Sequence, residues 1–164
     1  MTTIAWDGKT VAYDSQSTAG AFVLSNQQKM FEVNTDHTVA AISWQRPVGV
    51  ICSGAKGDHR HALYFLRNCT EEGVLEMQPE LSFCAWVFTT EGRCWAIQKQ
   101  ADDCMPSLYE VLPPAAAGSG HDIAMTAMYL GKDAREAVMV AGVLDCYTDT
   151  NVQSHSFYFN EVMK

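Results

Sequence analysis

Two β-rich runs open the chain. Thr2-Thr3-Ile4-Ala5-Trp6 and Lys9-Thr10-Val11-Ala12-Tyr13 flank Asp7-Gly8, which predicts a hairpin around a tight turn. Lys29 to Val33, Val39 to Trp44 and Val48 to Cys52 read as further short strands. Asp58 can cap a helix in which Ala62, Leu63 and Leu66 recur at helical spacing, with Asn68 near its end. Leu81 to Thr89 and Arg93 to Ile97 flank Glu91-Gly92 as a second hairpin. From Gln100 to Ala117, with Pro106, Pro113 and Pro114, the pattern predicts mostly loop around a short strand at Tyr109 to Leu112.

Helical periodicity returns at His121 to Leu130, where Ile123, Ala124, Ala127 and Met128 make one apolar face and Gly131 ends the element. Asp133 with Glu136 three residues on predicts a capping box, followed by a face of Ala134, Ala137, Val138 and Ala141. The run Ser156 to Asn160, with Phe157-Tyr158-Phe159, reads as a closing strand. Strands in two groups with helices between and after define an α+β chain. Two packed sheets covered by helices are one arrangement among several that fit.

At 164 residues and 48% hydrophobic, the chain is expected to be one domain over 1–164 with a sizeable core. Its formal charge of -8, with no basic block, argues against binding nucleic acid or an anionic membrane surface. No apolar run approaches the ~18–20 residues of a membrane span, and the first twenty residues lack a signal-peptide pattern, so a cytoplasmic protein is expected. Cys52, Cys69, Cys84, Cys94, Cys104 and Cys146 include no C-x-x-C pair, and those inside apolar runs read as small core residues. His59 and His61 are two apart on a predicted helix, whereas two ligands on one face need i and i+4. His37, His121 and His155 show no triad spacing, and Trp44, Trp86 and Trp95 read as strand packing. Gly118-Ser119-Gly120 before a helix lacks the following lysine of a P-loop, and a tight turn is the better reading.

Thr2 carries the most specific chemistry. With Met1 removed it holds a hydroxyl and a free α-amine, so nucleophile and base arrive on one residue. An α-amine titrates at about 7.7–8.0, and a neighbouring lysine would lower that value by like-charge repulsion. The same residues also make an ordinary hairpin, and pattern alone puts that reading first.

Thr2-Thr3-Ile4-Ala5, Asp7-Gly8-Lys9-Thr10-Val11-Ala12-Tyr13-Asp14-Ser15, Gly118-Ser119-Gly120, Asp133-Ala134-Arg135-Glu136-Ala137-Val138 and Asp145-Cys146-Tyr147-Thr148 together resemble the proteasome β-subunit and HslV branch of the N-terminal-nucleophile hydrolases. The order and approximate spacing of these pieces agree over residues 2 to 150. The resemblance implies a four-layer α-β-β-α sandwich with Thr2 as nucleophile and its own amine as base. It makes Lys29 the pKa-lowering lysine and Asp14 its partner. Gly54, after the strand Gly49-Val50-Ile51-Cys52, becomes the oxyanion donor, and Ser119, Asp145 and Thr148 the cluster that orients the nucleophile. The chain departs from the pattern at Ala55-Lys56-Gly57-Asp58, which is small and apolar in many relatives, and at Asp149, where glycine is frequent.

The activity implied is a threonine peptidase cutting unfolded polypeptide inside a ring of identical subunits, hexameric or heptameric and stackable in pairs. An ATP-dependent unfoldase is the implied partner, and no cofactor is called for. With nothing ahead of Met1 in this sequence, exposure of Thr2 is expected to fall to a methionine aminopeptidase. Two other functions fit the same residues: an inactive scaffold that keeps Met1, and an amidase acting on a small amide.

Overall fold

Asp7 turns the chain between β1 (Thr3–Trp6) and β2 (Thr10–Asp14) by accepting the Lys9 and Thr10 amides on Oδ1, at 2.9 and 2.8 Å. That bonding lets a short polar side chain stand in for a backbone turn. The computed structural model describes residues 2–19, 22–33, 39–53, 58–68, 77–78 and 80–157. The class is mixed α+β, with antiparallel sheets and three α-helices among the described residues. None of these helices is long and apolar enough to cross a membrane. Two compact units divide the chain, one built from residues 1–28 and 112–164, the other from 29–111.

In the first unit β10 (Ala115–Gly118) pairs with β1 and β11 (Val152–Ser156) with β2, giving an antiparallel sheet in the order β10-β1-β2-β11. Ala116, Ala5 and Ala12 stand side by side in register across it. Against this row pack α2 (His121–Tyr129) and α3 (Ala134–Leu144), through Ala124, Ala127, Met128, Ala134, Ala137, Val138 and Ala141. Methyl-sized side chains on both surfaces let helix and sheet backbones come close, so a larger residue at Ala5 or Ala137 would overpack at a cost of about 1–3 kcal/mol. The expected capping box forms: Asp133 accepts the Glu136 amide at 2.8 Å and the Glu136 side chain accepts the Asp133 amide. Asp7 adds its second oxygen to the Ala134 amide, which ties the hairpin turn to the start of α3.

The second unit is a five-stranded antiparallel sheet in the order β5-β6-β7-β8-β9, from β5 (Met30–Glu32), β6 (Pro47–Ser53), β7 (Phe83–Thr89), β8 (Cys94–Lys99) and β9 (Ser107–Val111). Val50, Cys52, Ala85 and Val87 alternate onto the face that meets Ala62, Phe65 and Leu66 of α1 (His59–Asn68).

Four expectations change. Val39 to Trp44 is a single 3-10 turn over Ala40–Ile42 closed by a Val39–Gln45 bridge, because Ser43 and Trp44 take positive φ and Ile42 is the buried anchor of the turn. Trp44 is accordingly exposed rather than packed in a strand. The stretch expected as loop before Gly118 contains β10. A strand not expected runs over Val152–Ser156, and of the strand expected at Ser156 to Asn160 residues 158–160 lie outside the described ones. A small hairpin of β3 (Ser17–Ala19) and β4 (Phe22–Leu24) also falls where no element was expected.

Candidate active site

Thr2 precedes β1 and is buried, as is Thr3 at its start. The peptide group between them is held at both ends. Its carbonyl, on Thr2, accepts the Ser119 amide at 3.2 Å, and its N–H, on Thr3, donates to Asp14 Oδ1 at 2.7 Å. Asp14 is wholly buried at the end of β2 and uses Oδ2 for the Gln16 amide at 3.0 Å. Strand pairing sets up the first contact, since Thr3 stands opposite Gly118 in the β1–β10 register and Ser119 follows directly. Gly118 has φ +92°, and a Cβ there would lie 1.5 Å from the Thr2 oxygen, so only glycine permits the approach.

A second set of bonds converges on Asp145, the C-cap of α3. Thr148 Oγ1 donates to Asp145 Oδ2 at 2.6 Å, the Tyr147 amide donates to Oδ1 at 3.2 Å, and the Ser119 hydroxyl donates as well. Desolvation pushes this carboxyl up, but the donors, Thr148 first, outweigh it and hold the group below the usual carboxylate range. Thr3 Oγ1 lies 2.6 Å from Thr148 Oγ1 and accepts the Gly120 amide at 2.9 Å. Thr2, Asp14, Ser119, Asp145 and Thr148, five of the seven site residues named from sequence, are therefore linked through one hydrogen-bonded cluster in the first unit. Lys29 is buried just ahead of β5 in the second unit. Gly54 lies outside the described residues.

Sequence reasoning missed two members. Thr3 was quoted only as part of a motif, yet its hydroxyl joins the 118–120 turn to Thr148. Asp149, noted only as a departure, accepts the Ser15 amide at 3.1 Å and the Ser15 hydroxyl at 2.9 Å, which pins the chain just beyond Asp14. A polar residue at the first strand position, opposite a glycine turn, was the one available signal for Thr3.

Other nucleophiles fit less well. Burial, with Asp58 and Cys84 adding to it, pushes the Cys52 thiol up to about 12, and burial likewise raises Cys84 and Cys94. These thiols stay protonated near neutral pH and are poor nucleophiles. A cavity of about 320 Å³ in the second unit is lined by Ser53, Asp58, Phe83, Cys84 and Lys99 among others, and the buried Lys99 side chain already donates to the Leu81 and Gln100 carbonyls at 2.8 and 3.2 Å. His59 stacks on Phe31, with ring centroids 3.7 Å apart. Among the described residues no group of three or more His, Cys, Asp or Glu is arranged to hold a metal ion.

No family model matches the chain, and no curated protein matches it significantly. Among solved structures it is similar to Thiobacillus denitrificans BPH in complex with epoxomicin, with a TM-score of 0.59 and 18% identity over 96% of this chain and 99% of that one. Thiobacillus denitrificans BPH without the compound gives a TM-score of 0.57 and 17% identity, over 96% of this chain and 98% of that one. At this identity the likeness is one of fold.

Proposed function

We propose that the chain is an N-terminal-nucleophile hydrolase, a threonine peptidase whose nucleophile is Thr2 once Met1 is removed. The observation that carries this reading is the Thr2–Thr3 peptide, held by Ser119 at its carbonyl and Asp14 at its amide beside an ionised Asp145. A residue whose backbone is so constrained is pre-positioned for attack, which lowers the entropic part of a barrier. The fold likeness to a protein that binds epoxomicin supports the same class.

In this mechanism Thr2 Oγ attacks the substrate carbonyl while its proton passes to the α-amine. The Gly54 amide stabilises the oxyanion, a contribution of about 2.7–4 kcal/mol for one such donor in other hydrolases. The ammonium gives its proton to the leaving amine, and water then releases the acyl group with the amine again as base. Lys29, paired with Asp14, keeps that amine neutral by charge repulsion. The two sheets stack as the inner layers of an α-β-β-α sandwich. The subunits close into hexameric or heptameric rings in the cytoplasm that admit unfolded polypeptide, with an ATP-dependent unfoldase as partner.

The test begins with the mass of the purified protein, which should correspond to a chain starting at Thr2. Thr2→Ala should abolish hydrolysis of unfolded polypeptide and the epoxomicin adduct while leaving the fold intact, and Thr2→Ser should keep part of both. Lys29→Ala should lose activity nearly as fully, with no rescue by the larger, planar guanidinium of Lys29→Arg. Full turnover in Thr2→Ala, or turnover by a chain that uniformly retains Met1, overturns the mechanism; an inert chain retaining Met1 points to the scaffold reading.

A further inference from the structure

The geometry points to the Thr3 hydroxyl as a positioning group that carries the proton order imposed by Asp145 through Thr148 to the Gly120 amide of the 118–120 turn. It thereby fixes Ser119 and the Thr2–Thr3 peptide for chemistry at Thr2, and this role rests on the hydrolase reading above. Thr3 is fully buried and Thr148 nearly so. Each hydroxyl has a single proton to give. An ionised Asp145 can only accept, so the Thr148 proton goes to it across 2.6 Å. Thr148 Oγ1 must then accept at its other 2.6 Å contact, which commits the Thr3 proton to Thr148. Thr3 Oγ1 has its lone pairs left for the Gly120 amide, which can only donate.

The run therefore reads in one direction: Gly120 N–H to Thr3 O–H to Thr148 O–H to the Asp145 carboxylate. Reversing its last bonds would set a hydroxyl lone pair against a carboxylate oxygen at 2.6 Å. Successive bonds of one sense polarise each other, so the run is stiffer than its members taken singly. The consequence reaches Thr2 through Ser119. The Ser119 hydroxyl donates to Asp145 as well, so its oxygen is left only to accept. Its amide holds the Thr2 carbonyl. Gly120 belongs to the same device, because a Cβ there would stand 2.8 Å from Thr3 Oγ1 and 3.1 Å from Thr148 Oγ1.

The experiment uses the full chain carrying Thr3→Ser, which keeps the hydroxyl, and Thr3→Val, which keeps the shape and loses it. The readouts are kcat and KM on a fluorogenic peptide, circular dichroism, and amide hydrogen exchange at Ser119 and Gly120. Thr3→Ser should stay within about threefold of the parent, while Thr3→Val lowers kcat about tenfold or more with little change in KM. Thr148→Val breaks the same run one bond further on and should match it, and the double Val variant should be no worse than either single one. Should Thr3→Val not fold, Thr148→Val is read by the same criteria. A folded Thr3→Val with near-parental kcat overturns the proposal, as does a Thr3→Ser that loses as much as Thr3→Val. If the parent protein hydrolyses nothing, the hydrolase reading fails separately and exchange decides the role of Thr3. Faster exchange at Ser119 and Gly120 in Thr3→Val but not in Thr3→Ser supports it, and unchanged exchange overturns it.

Discussion

Asp145 sits at the C-terminal end of α3, where the helix dipole opposes a negative charge and partial burial opposes it further. Donors from Thr148, Ser119 and the Tyr147 amide still hold its carboxyl below the usual range. A carboxylate with a depressed folded-state pKa stabilises the protein at pH values above its unfolded pKa, and that contribution is lost as pH falls through the folded value. The window therefore lies below about pH 4. Asp145→Asn should be less stable than the parent at pH 7 and should lose less stability on acidification. Urea unfolding at pH 7 and pH 3 checks this, and parallel losses in the two proteins would show that the charge is not stabilising. The site's members lie too far apart in the chain for spacing to join them: Thr2 and Asp145 meet only through β10 and α3. Family resemblance, not periodicity, picked out Asp14, Ser119, Asp145 and Thr148. Thr3 escaped notice because its hydroxyl looks like any strand residue until the partners at Gly120 and Thr148 are in place.

Elements whose signals are local were legible. Asp7-Gly8 carries its own turn chemistry, and Asp133 with Glu136 satisfies two amides of the helix start within four residues, so neither signal depends on the rest of the fold. β10 was illegible because Ala115-Ala116-Ala117 has no strand preference and is recruited by the methyl row it completes beside Ala5. The strand at Val152–Ser156 was missed for a related reason. The aromatic run after Ser156 suggested a strand, whereas Val152–Ser156 forms one by pairing with β2, and Val152 is its buried anchor. The α3 cap yields a prediction that is independent of function. Asp133→Ala removes the acceptor for the Glu136 amide and should cost about 1 kcal/mol, or about 2–4 °C in Tm for a chain of this size. Asp133→Asn, which keeps an acceptor, should recover most of it. Calorimetry decides, and an unchanged Tm in Asp133→Ala would mean that Asp7, at 3.0 Å from the Ala134 amide, suffices to start the helix.

For the whole molecule the issue is where subunits could meet. Ala124, Ala127, Ala134, Ala137 and Ala141 offered small-residue faces suited to packing within or between subunits, and all five are spent inside the first unit. Outward, α2, α3 and the residues just beyond α2 also present large apolar side chains: Tyr129, Leu130, Val143 and Leu144 are each at least 68% exposed. From Ala137 to Leu144, α3 carries no charged residue, although the chain as a whole stands at -8. Like-charged subunits gain contact most cheaply through surface that adds no repulsion, and exposed apolar side chains gain further from leaving water. If the ring assembly proposed above is right, light scattering coupled to size-exclusion chromatography should give a hexamer, a heptamer or a stacked pair of such rings at micromolar concentration. Val143→Asp, at an exposed position where the monomer fold should tolerate it, should shift the distribution towards smaller species with an unchanged circular dichroism spectrum. An assembly indifferent to Val143→Asp would place the subunit contacts elsewhere. A stable parental monomer would remove the chambered peptidase altogether, because an amide-cleaving threonine open to bulk solvent would lack the enclosure that restricts it to unfolded chains.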